Sequence, residues 1–267
     1  MSFPHSERVT YSKNPLETVI CQLRYPPVLR IETELPARFQ ETVRTQYPIF
    51  TQVAQANAVG VSQDVLNLMK QLLPASLSKA HVFSSEDGVW SLTLTKESLA
   101  LECKGKYTRW EEFLGRFLGP LQALCQEYRP SFFNRVGLRY VDLVRRSKLG
   151  LGDTPWSQLL SPQIAGQLAS DIAADVQDAT HAVIIKLNDN NDKVRMHHGL
   201  VATQNPDEVC YLIDNDFFCD QRTEANDATA KLEELHRESG NCFRWCISNT
   251  LHRAMEPQSL GLAERGA

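Results

Sequence analysis

The sequence predicts an α+β fold, in which an antiparallel sheet carries helices packed mainly on one of its faces. Two blocks, Pro15 to Tyr25 and Asn134 to Leu143, alternate apolar and polar residues with the period of a strand. Further strand patterns follow one another through short turns, and amphipathic helical patterns lie between them. Consecutive hairpin strands with separate helices are typical of the α+β class.

The first half opens with a strand at about 18–25, which a pair of prolines ends. A helix is expected from Pro36 to about residue 47, because apolar residues recur there one helical turn apart. Ser62 is a suitable N-cap for a short helix over 62–73.

Three hairpin strands are expected next, near 81–84, 90–94 and 99–103. An amphipathic helix follows from Tyr107, and Gly119-Pro120 is expected to kink or split it. The second alternating block then predicts a long central strand over 134–144.

The second half repeats this theme, beginning with a helix over 153–177. Its strands are expected at 182–187, 194–202 and 209–214. Two helices close the chain, the first capped by Asp227 and ended by Gly240, and the second beginning at Asn241. We therefore expect two similar α+β halves, residues 1–150 and 151–267, which form either two domains or one continuous domain.

Composition and charge describe an ordinary protein with a substantial core. Hydrophobic residues make up 42% of the 267 residues, and the net charge of -4 gives no bulk basic field for nucleic acid. No apolar run is long enough for a bilayer, and no signal peptide is visible, so we expect a cytoplasmic protein without membrane association.

The sequence also lacks the common catalytic motifs. No Gly-x-Ser-x-Gly nucleophile elbow is present, and no glycine-rich loop is followed by the Lys-Ser/Thr of a P-loop. Hydrolysis of nucleotides by a P-loop mechanism is therefore not expected, and we expect neither a catalytic residue nor a cofactor.

Asp214 and Asp216 form the first candidate site. Their alternate positions in a strand place both carboxylates on one side, where they could hold Mg²⁺ or Mn²⁺. Asp220 is near them in the sequence, and Asp142 lies on another strand. The favoured interpretation is structural: the carboxylates cap a strand end or pair with Arg135 or Arg139.

Arg135 and Arg139 form the second candidate site. They share one face of the central strand, and Gly137 between them leaves room. Such a face could receive a phosphate, a nucleic-acid backbone or an acidic partner, although pairing with Glu17, Glu102, Asp142 or the late aspartates is favoured. The candidate binding residues are Arg135, Arg139, Tyr140, Asp214 and Asp216.

Cys242 and Cys246 are four residues apart on a helical pattern, with His236 and His252 on either side. Ligands at this spacing can share a zinc ion. The favoured interpretation is buried, reduced thiols, because Cys246 falls on the apolar side and paired Cys-x-x-Cys spacing is missing. No metal is therefore expected.

The chain resembles a sporadically distributed family of uncharacterised bacterial and archaeal proteins of similar length. Three features carry the resemblance: Pro15-Leu16-Glu17 before the first strand, the strand motif from Arg135 to Tyr140, and Asp214-Asn215-Asp216 ending a late strand before a helix over 227–236. The resemblance covers nearly the whole chain and implies its fold. It implies no reaction, cofactor or substrate.

These observations favour a non-enzymatic binding or regulatory protein that recognises a protein partner. The sporadic distribution of the resembled family suggests a bacterial defence or toxin-neutralising system. The alternative is a divalent-metal-dependent enzyme on nucleic acid or nucleotides, which would use Asp214 and Asp216 with Arg139. Nucleic acid is the less favoured partner.

Overall fold

A computed structural model of the chain describes residues 3–55, 78–187, 191–204 and 207–259. Its strands are β1 (Val9–Tyr11), β2 (Leu16–Arg24), β3 (Ile49–Gln55), β4 (Ser78–Ser84), β5 (Trp90–Thr95), β6 (Ser98–Lys104), β7 (Arg135–Val144), β8 (Thr180–Lys186), β9 (Lys193–Gln204), β10 (Asp207–Cys219) and β11 (Pro257–Ser259). Its α-helices are α1 (Arg30–Thr33), α2 (Ala37–Val43), α3 (Trp110–Glu127), α4 (Trp156–Leu159), α5 (Pro162–Ala165), α6 (Ala228–Cys246) and α7 (Asn249–Ala254). The helix predicted over 62–73 lies outside the described residues.

Nine strands form one antiparallel sheet in the order β3-β4-β5-β6-β2-β7-β10-β9-β8, and β1 pairs separately with β11. The two alternating blocks of the sequence are β2 and β7, which pair with each other in the interior of the sheet. The prediction that the strand over 134–144 is central is therefore confirmed.

The two halves of the chain have similar topologies, although the first contributes five of the described strands to the large sheet and the second contributes four. In each half the first strand of the large sheet, β2 or β7, lies at the centre, and the last strand, β6 or β10, returns to pair with it. A long helix, α3 or α6, follows that last strand. One sheet thus runs through both halves, joined between β2 and β7.

The hydrophobic core lies against one face of this sheet, here called the core face. Cys21, Leu138 and Phe217 are neighbours on adjacent strands of this face, and all three are fully buried. Helices pack on it: Phe39 of α2 contacts Phe83, and Trp156 of α4 contacts Tyr211. The opposite face, here called the open face, carries the alternate residues, and the predicted α+β class is confirmed.

The helix predicted over 153–177 is wrong. Two single-turn α-helices, α4 and α5, and the 3-10 turns Gly166–Ala169 and Ala173–Asp175 occupy this segment. Ser161 is extended before Pro162, as residues before proline usually are, and Gly166 has a positive φ of 48°. These two breaks prevent a continuous helix.

The predicted helix end at Gly240 is also wrong, because α6 continues to Cys246 and α7 starts only at Asn249. The buried stripe of Leu235, Cys242 and Cys246 runs past the glycine. Packing of this stripe outweighs the cost of about 1 kcal/mol that glycine imposes on a helix interior.

Pro120 lies inside α3 without splitting the helix. A proline cannot donate a hydrogen bond to the carbonyl oxygen four residues earlier, which here belongs to Arg116. The hydroxyl of Tyr47 donates to that oxygen at 3.1 Å. A side chain from α2's C-terminal loop therefore satisfies the acceptor that proline leaves free.

The strand predicted over 209–214 is longer than expected, since β10 continues to Cys219. Asp214 and Asp216 therefore lie inside the strand and do not end it. The strand continues because Phe217 and Phe218 pair with both β7 and β9. Among the described residues, no helix is long and apolar enough to cross a membrane.

Candidate functional site

The central strand β7 presents different chemistry on its two faces. Successive strand residues point to opposite sides, so Arg135 and Arg139 lie on the open face, whereas Tyr140 and Asp142 lie on the core face. The candidate residues from the sequence are therefore divided between two surfaces. Asp142 in particular is not placed to pair with the arginines, contrary to one of our expectations.

On the open face, β10 brings Asp214 and Asp216 beside the two arginines. Nη2 of Arg135 donates to both carboxylate oxygens of Asp216, at 2.7 and 2.8 Å. Arg139 donates to Asp214 from Nε at 2.7 Å and from Nη2 at 2.5 Å. The expected pairing of both arginines with the late aspartates is confirmed.

These ion pairs argue against a metal ion bound by Asp214 and Asp216. Both carboxylates that it requires already accept hydrogen bonds from guanidinium groups, and such charge-assisted pairs are among the stronger polar contacts in proteins. Within the described ranges, no group of three His, Cys, Asp or Glu side chains is arranged to hold a metal ion. A cation bound by Asp214 and Asp216 would have to displace Arg139 and Arg135.

Positive charge gathers around Phe218 at one end of the open face. The charged groups of Arg135, Lys193 and Arg195 lie 5.0, 5.9 and 6.0 Å from the centre of its ring. Lys193 also pairs with Asp220 at 2.8 Å, whereas Arg195 forms no ion pair with a described residue. The open face therefore carries unbalanced positive charge near β9.

Among the strands of the described residues, the neighbouring strand β8 is the last one at this end of the sheet. Val183 and Ile184, which point to opposite faces, are 46% and 57% exposed. Lys186 lies opposite Lys193 in the strand register, so two like charges face each other. An exposed apolar edge strand of this kind is a template for pairing with another chain.

Cys242, Cys246 and His236 lie on α6 and His252 lies on α7, and these four side chains do not form a metal-binding group. Cys242 and Cys246 are buried, and burial raises the pKa of the Cys242 thiol. The imidazole Nδ1 of His236 lies 2.8 Å from the hydroxyl of Tyr140, and that of His252 lies 2.8 Å from the hydroxyl of Tyr11. Each histidine is thus engaged by a tyrosine.

A cavity of about 640 Å³ lies on the core side of β7. It is enclosed by β7 and β10, the start of α3, helix α6 and the N-terminal segment 5–14. Its lining combines six aromatic side chains with polar and charged ones. The aromatic residues are Tyr11, Tyr107, Trp110, Tyr140, Phe217 and Phe243.

Tyr140 contributes to this cavity and not to the ion pairs of the open face. The imidazole of His236, its hydrogen-bond partner, stacks on the indole of Trp110, with 4.4 Å between ring centres and 9° between planes. Burial, assisted by the positive charge of Arg8, lowers the pKa of His236 to about 3. The imidazole is therefore neutral at neutral pH.

Asp142 and Asn215 complete the sheet side of the cavity. Burial raises the pKa of Asp142 to about 8, and the charge of Asp214 behind it acts in the same direction, so the carboxyl is mostly protonated at neutral pH. Asn215 is 1% exposed. Its Oδ1, like Nε1 of Trp110, has no hydrogen-bond partner among the described residues.

Sequence reasoning missed this cavity. The alternation of β7 could have placed Asp142 on the buried face, since it shares the parity of Leu138 and Tyr140. Trp110, Asn215 and His236 come from three separate segments, and no spacing in the sequence indicates that they meet. Only the folded sheet and α6 bring them together.

Comparison with known proteins gives no identification. No family model matches the chain, and no curated protein matches it. The chain is therefore characterised by its fold and its surfaces: an α+β protein with an open antiparallel sheet, an ion-paired open face, an exposed edge strand and a cavity under α6.

Proposed function

We propose that this chain is a non-enzymatic binding protein that recognises a partner protein, and that an extended segment of the partner adds as a strand to β8. The exposed apolar character of β8 at the end of the sheet carries this proposal. Strand addition supplies main-chain hydrogen bonds, and the alternate side chains of the edge select the segment.

Both faces of β8 expose an apolar side chain that an apolar residue of a partner could cover. An added strand would place side chains beside Ile184 on the open face and beside Val183 on the other face. Each is about half exposed in the chain alone. Covering both removes apolar surface from water, at roughly 25 cal/mol per Å².

Charge supports a segment that also carries acidic residues. Lys186 faces Lys193 across the β8–β9 pair. Arg195 lies opposite Ile184 on one side and Asp216 on the other, and it forms no ion pair within the described part of the chain. An Asp or Glu on the added strand would face these cations. A second copy of β8 offers none, because its sequence Thr-His-Ala-Val-Ile-Ile-Lys contains no acid.

A nucleic-acid partner is less supported. Arg135, Arg139 and Lys193 are already paired with carboxylates, which also repel phosphate. A partner strand with both apolar and acidic side chains would contact the apolar residues of β8 and the basic residues beside it. A phosphate backbone would contact only the basic residues.

Site-specific photo-crosslinking in the native cell tests the proposal. Benzoylphenylalanine replaces Ile184 in one variant and Leu35 in a matched control, because Leu35 is 69% exposed but lies outside the sheet. Crosslinked peptides are mapped by mass spectrometry. A synthetic peptide of the captured segment is then titrated against wild type and Arg195→Glu in low and high salt.

The proposal predicts a protein crosslink at position 184 that is absent at position 35, in a segment with apolar and acidic residues. The peptide should bind wild type and lose at least tenfold in affinity with Arg195→Glu, with weaker binding in high salt. A crosslink to a second copy of the chain, a crosslink to nucleic acid, or equal capture at both positions would overturn it.

A further inference from the structure

We propose that the cavity under α6 binds an uncharged aromatic molecule that carries both a hydrogen-bond donor and an acceptor. The donor would reach Oδ1 of Asn215, and the acceptor would receive a hydrogen bond from Nε1 of Trp110. This site is on the core side of the sheet, away from the open face, and the inference stands independently of the function proposed above.

The two unpartnered polar atoms are the first argument. Asn215 and Trp110 are 1% and 2% exposed, and both line the cavity. A buried polar group without a partner costs roughly 1–3 kcal/mol, and nearly all such groups in native proteins have a partner. One is an acceptor and the other a donor, so a single ligand with both functions would satisfy them.

The size and lining of the cavity are the second argument. Its volume of about 640 Å³ is within the range of sites for small molecules, roughly 300–1,000 Å³. The rings of Tyr107, Tyr140 and Phe217 line it together with those of Trp110 and Phe243. Flat aromatic walls favour a planar ring, which can stack on them or meet them edge to face.

The charges around the cavity are the third argument, and they favour a neutral ligand. Arg8 pairs with Glu111 at 2.7 Å, and Nη1 of Arg244 donates to the carbonyl oxygen of Ile247 at 3.0 Å. Asp142 on β7 and His236 on α6 are held in their uncharged forms by burial. The remaining charged side chains of the lining, Glu7, Arg109, Glu233 and Arg237, include both signs, and those of Glu7, Arg109 and Arg237 are exposed to solvent. An ionic ligand hydrogen-bonded to Asn215 and Trp110 would lose its hydration beside two uncharged groups.

The test uses two fluorescent probes that share one skeleton. N-phenyl-1-naphthylamine is neutral and has an N–H donor, whereas 8-anilinonaphthalene-1-sulfonate adds a sulfonate. Each is titrated into wild type, Gly240→Phe and Gly115→Phe. Gly240 lines the cavity, and a Cβ added there meets nothing within 4 Å; a Cβ added to Gly115 on α3 is equally free of contacts, but Gly115 does not line the cavity.

We expect saturable binding of the neutral probe to wild type and to Gly115→Phe, with at least tenfold weaker binding to Gly240→Phe and to the sulfonate probe. A second variant, Asn215→Leu, should also bind the neutral probe at least tenfold more weakly, which keeps the test informative if Gly240→Phe does not fold. The inference is overturned if neither probe saturates or if Gly240→Phe binds like Gly115→Phe. The preference for a neutral ligand would likewise be excluded if the sulfonate probe bound as tightly as the neutral probe or more tightly. Displacement of the neutral probe by benzyltrimethylammonium would exclude it too.

Discussion

The guanidinium group of Arg135 occupies the space that a side chain at residue 137 would fill. A Cβ added to Gly137 would collide with Nη1 of Arg135, its nearest neighbour. Glycine at this position therefore lets Arg135 lie across β7 and reach Asp216 on β10. The sequence pattern Arg-x-Gly-x-Arg is thus explained by the packing of one long side chain over a bare backbone.

Gly137→Ala should weaken the Arg135–Asp216 pair, at a cost of about 1 kcal/mol, because a flexible arginine can move away. Gly199→Ala provides the contrast, since its Cβ would collide with the backbone oxygen of Ala179, which cannot move alone. That variant should cost roughly 3 kcal/mol or more. Urea denaturation measures both. Equal losses in the two variants would show that the arginine is not mobile.

Arg139→Gln and Asp214→Asn should each destabilise the protein more than the double variant does. The reason is that each single variant leaves one charged or polar partner unpaired. Because Arg139 is 46% exposed, the coupling between the two should be modest, about 0.5–1 kcal/mol. A double-mutant cycle from thermal or urea melts measures this coupling free energy. If the losses of stability in the two single variants simply add in the double variant, the ion pair does not contribute to stability.

Asp142→Asn should stabilise the protein at neutral pH. The pKa of Asp142 is raised from 3.8 to about 8, so the folded state holds a proton that the unfolded state releases, and stability falls as pH rises between those values. Asparagine removes this dependence. The gain in unfolding free energy should grow by roughly 1.4 kcal/mol for each pH unit between about pH 4 and pH 8, and it should vanish near pH 4. Melts of both proteins at several pH values check this, and a gain that is constant with pH would contradict it.

Mn²⁺ should leave the melting temperature of the wild type unchanged, because Asp214 and Asp216 already accept hydrogen bonds from arginines. The measurement is a thermal melt with and without Mn²⁺ for wild type, Asp214→Asn and Asp216→Asn. A rise with Mn²⁺ in the wild type that disappears in both variants would instead support the metal-dependent alternative.

The sequence predicted the central strands well because their alternation of apolar and polar residues indicates which residues share a face. It was less successful where one local feature competes with packing: Gly240 lies within α6, and Pro162 with Gly166 breaks the segment expected to be helical. The exposed edge could not be predicted, because strand order is decided by the tertiary fold. The apolar run Ala182 to Ile185 is as typical of a strand buried inside a sheet as of an exposed edge strand.

Hydrogen exchange of the complex with the captured peptide tests the central claim, strand addition at β8, most directly. Backbone amides of residues 180–186 should exchange more slowly once the peptide pairs with them, whereas those of β3, the opposite edge strand, should not change. Protection confined to β8 is the result that the account predicts. Protection elsewhere, with unchanged exchange in residues 180–186, would contradict it.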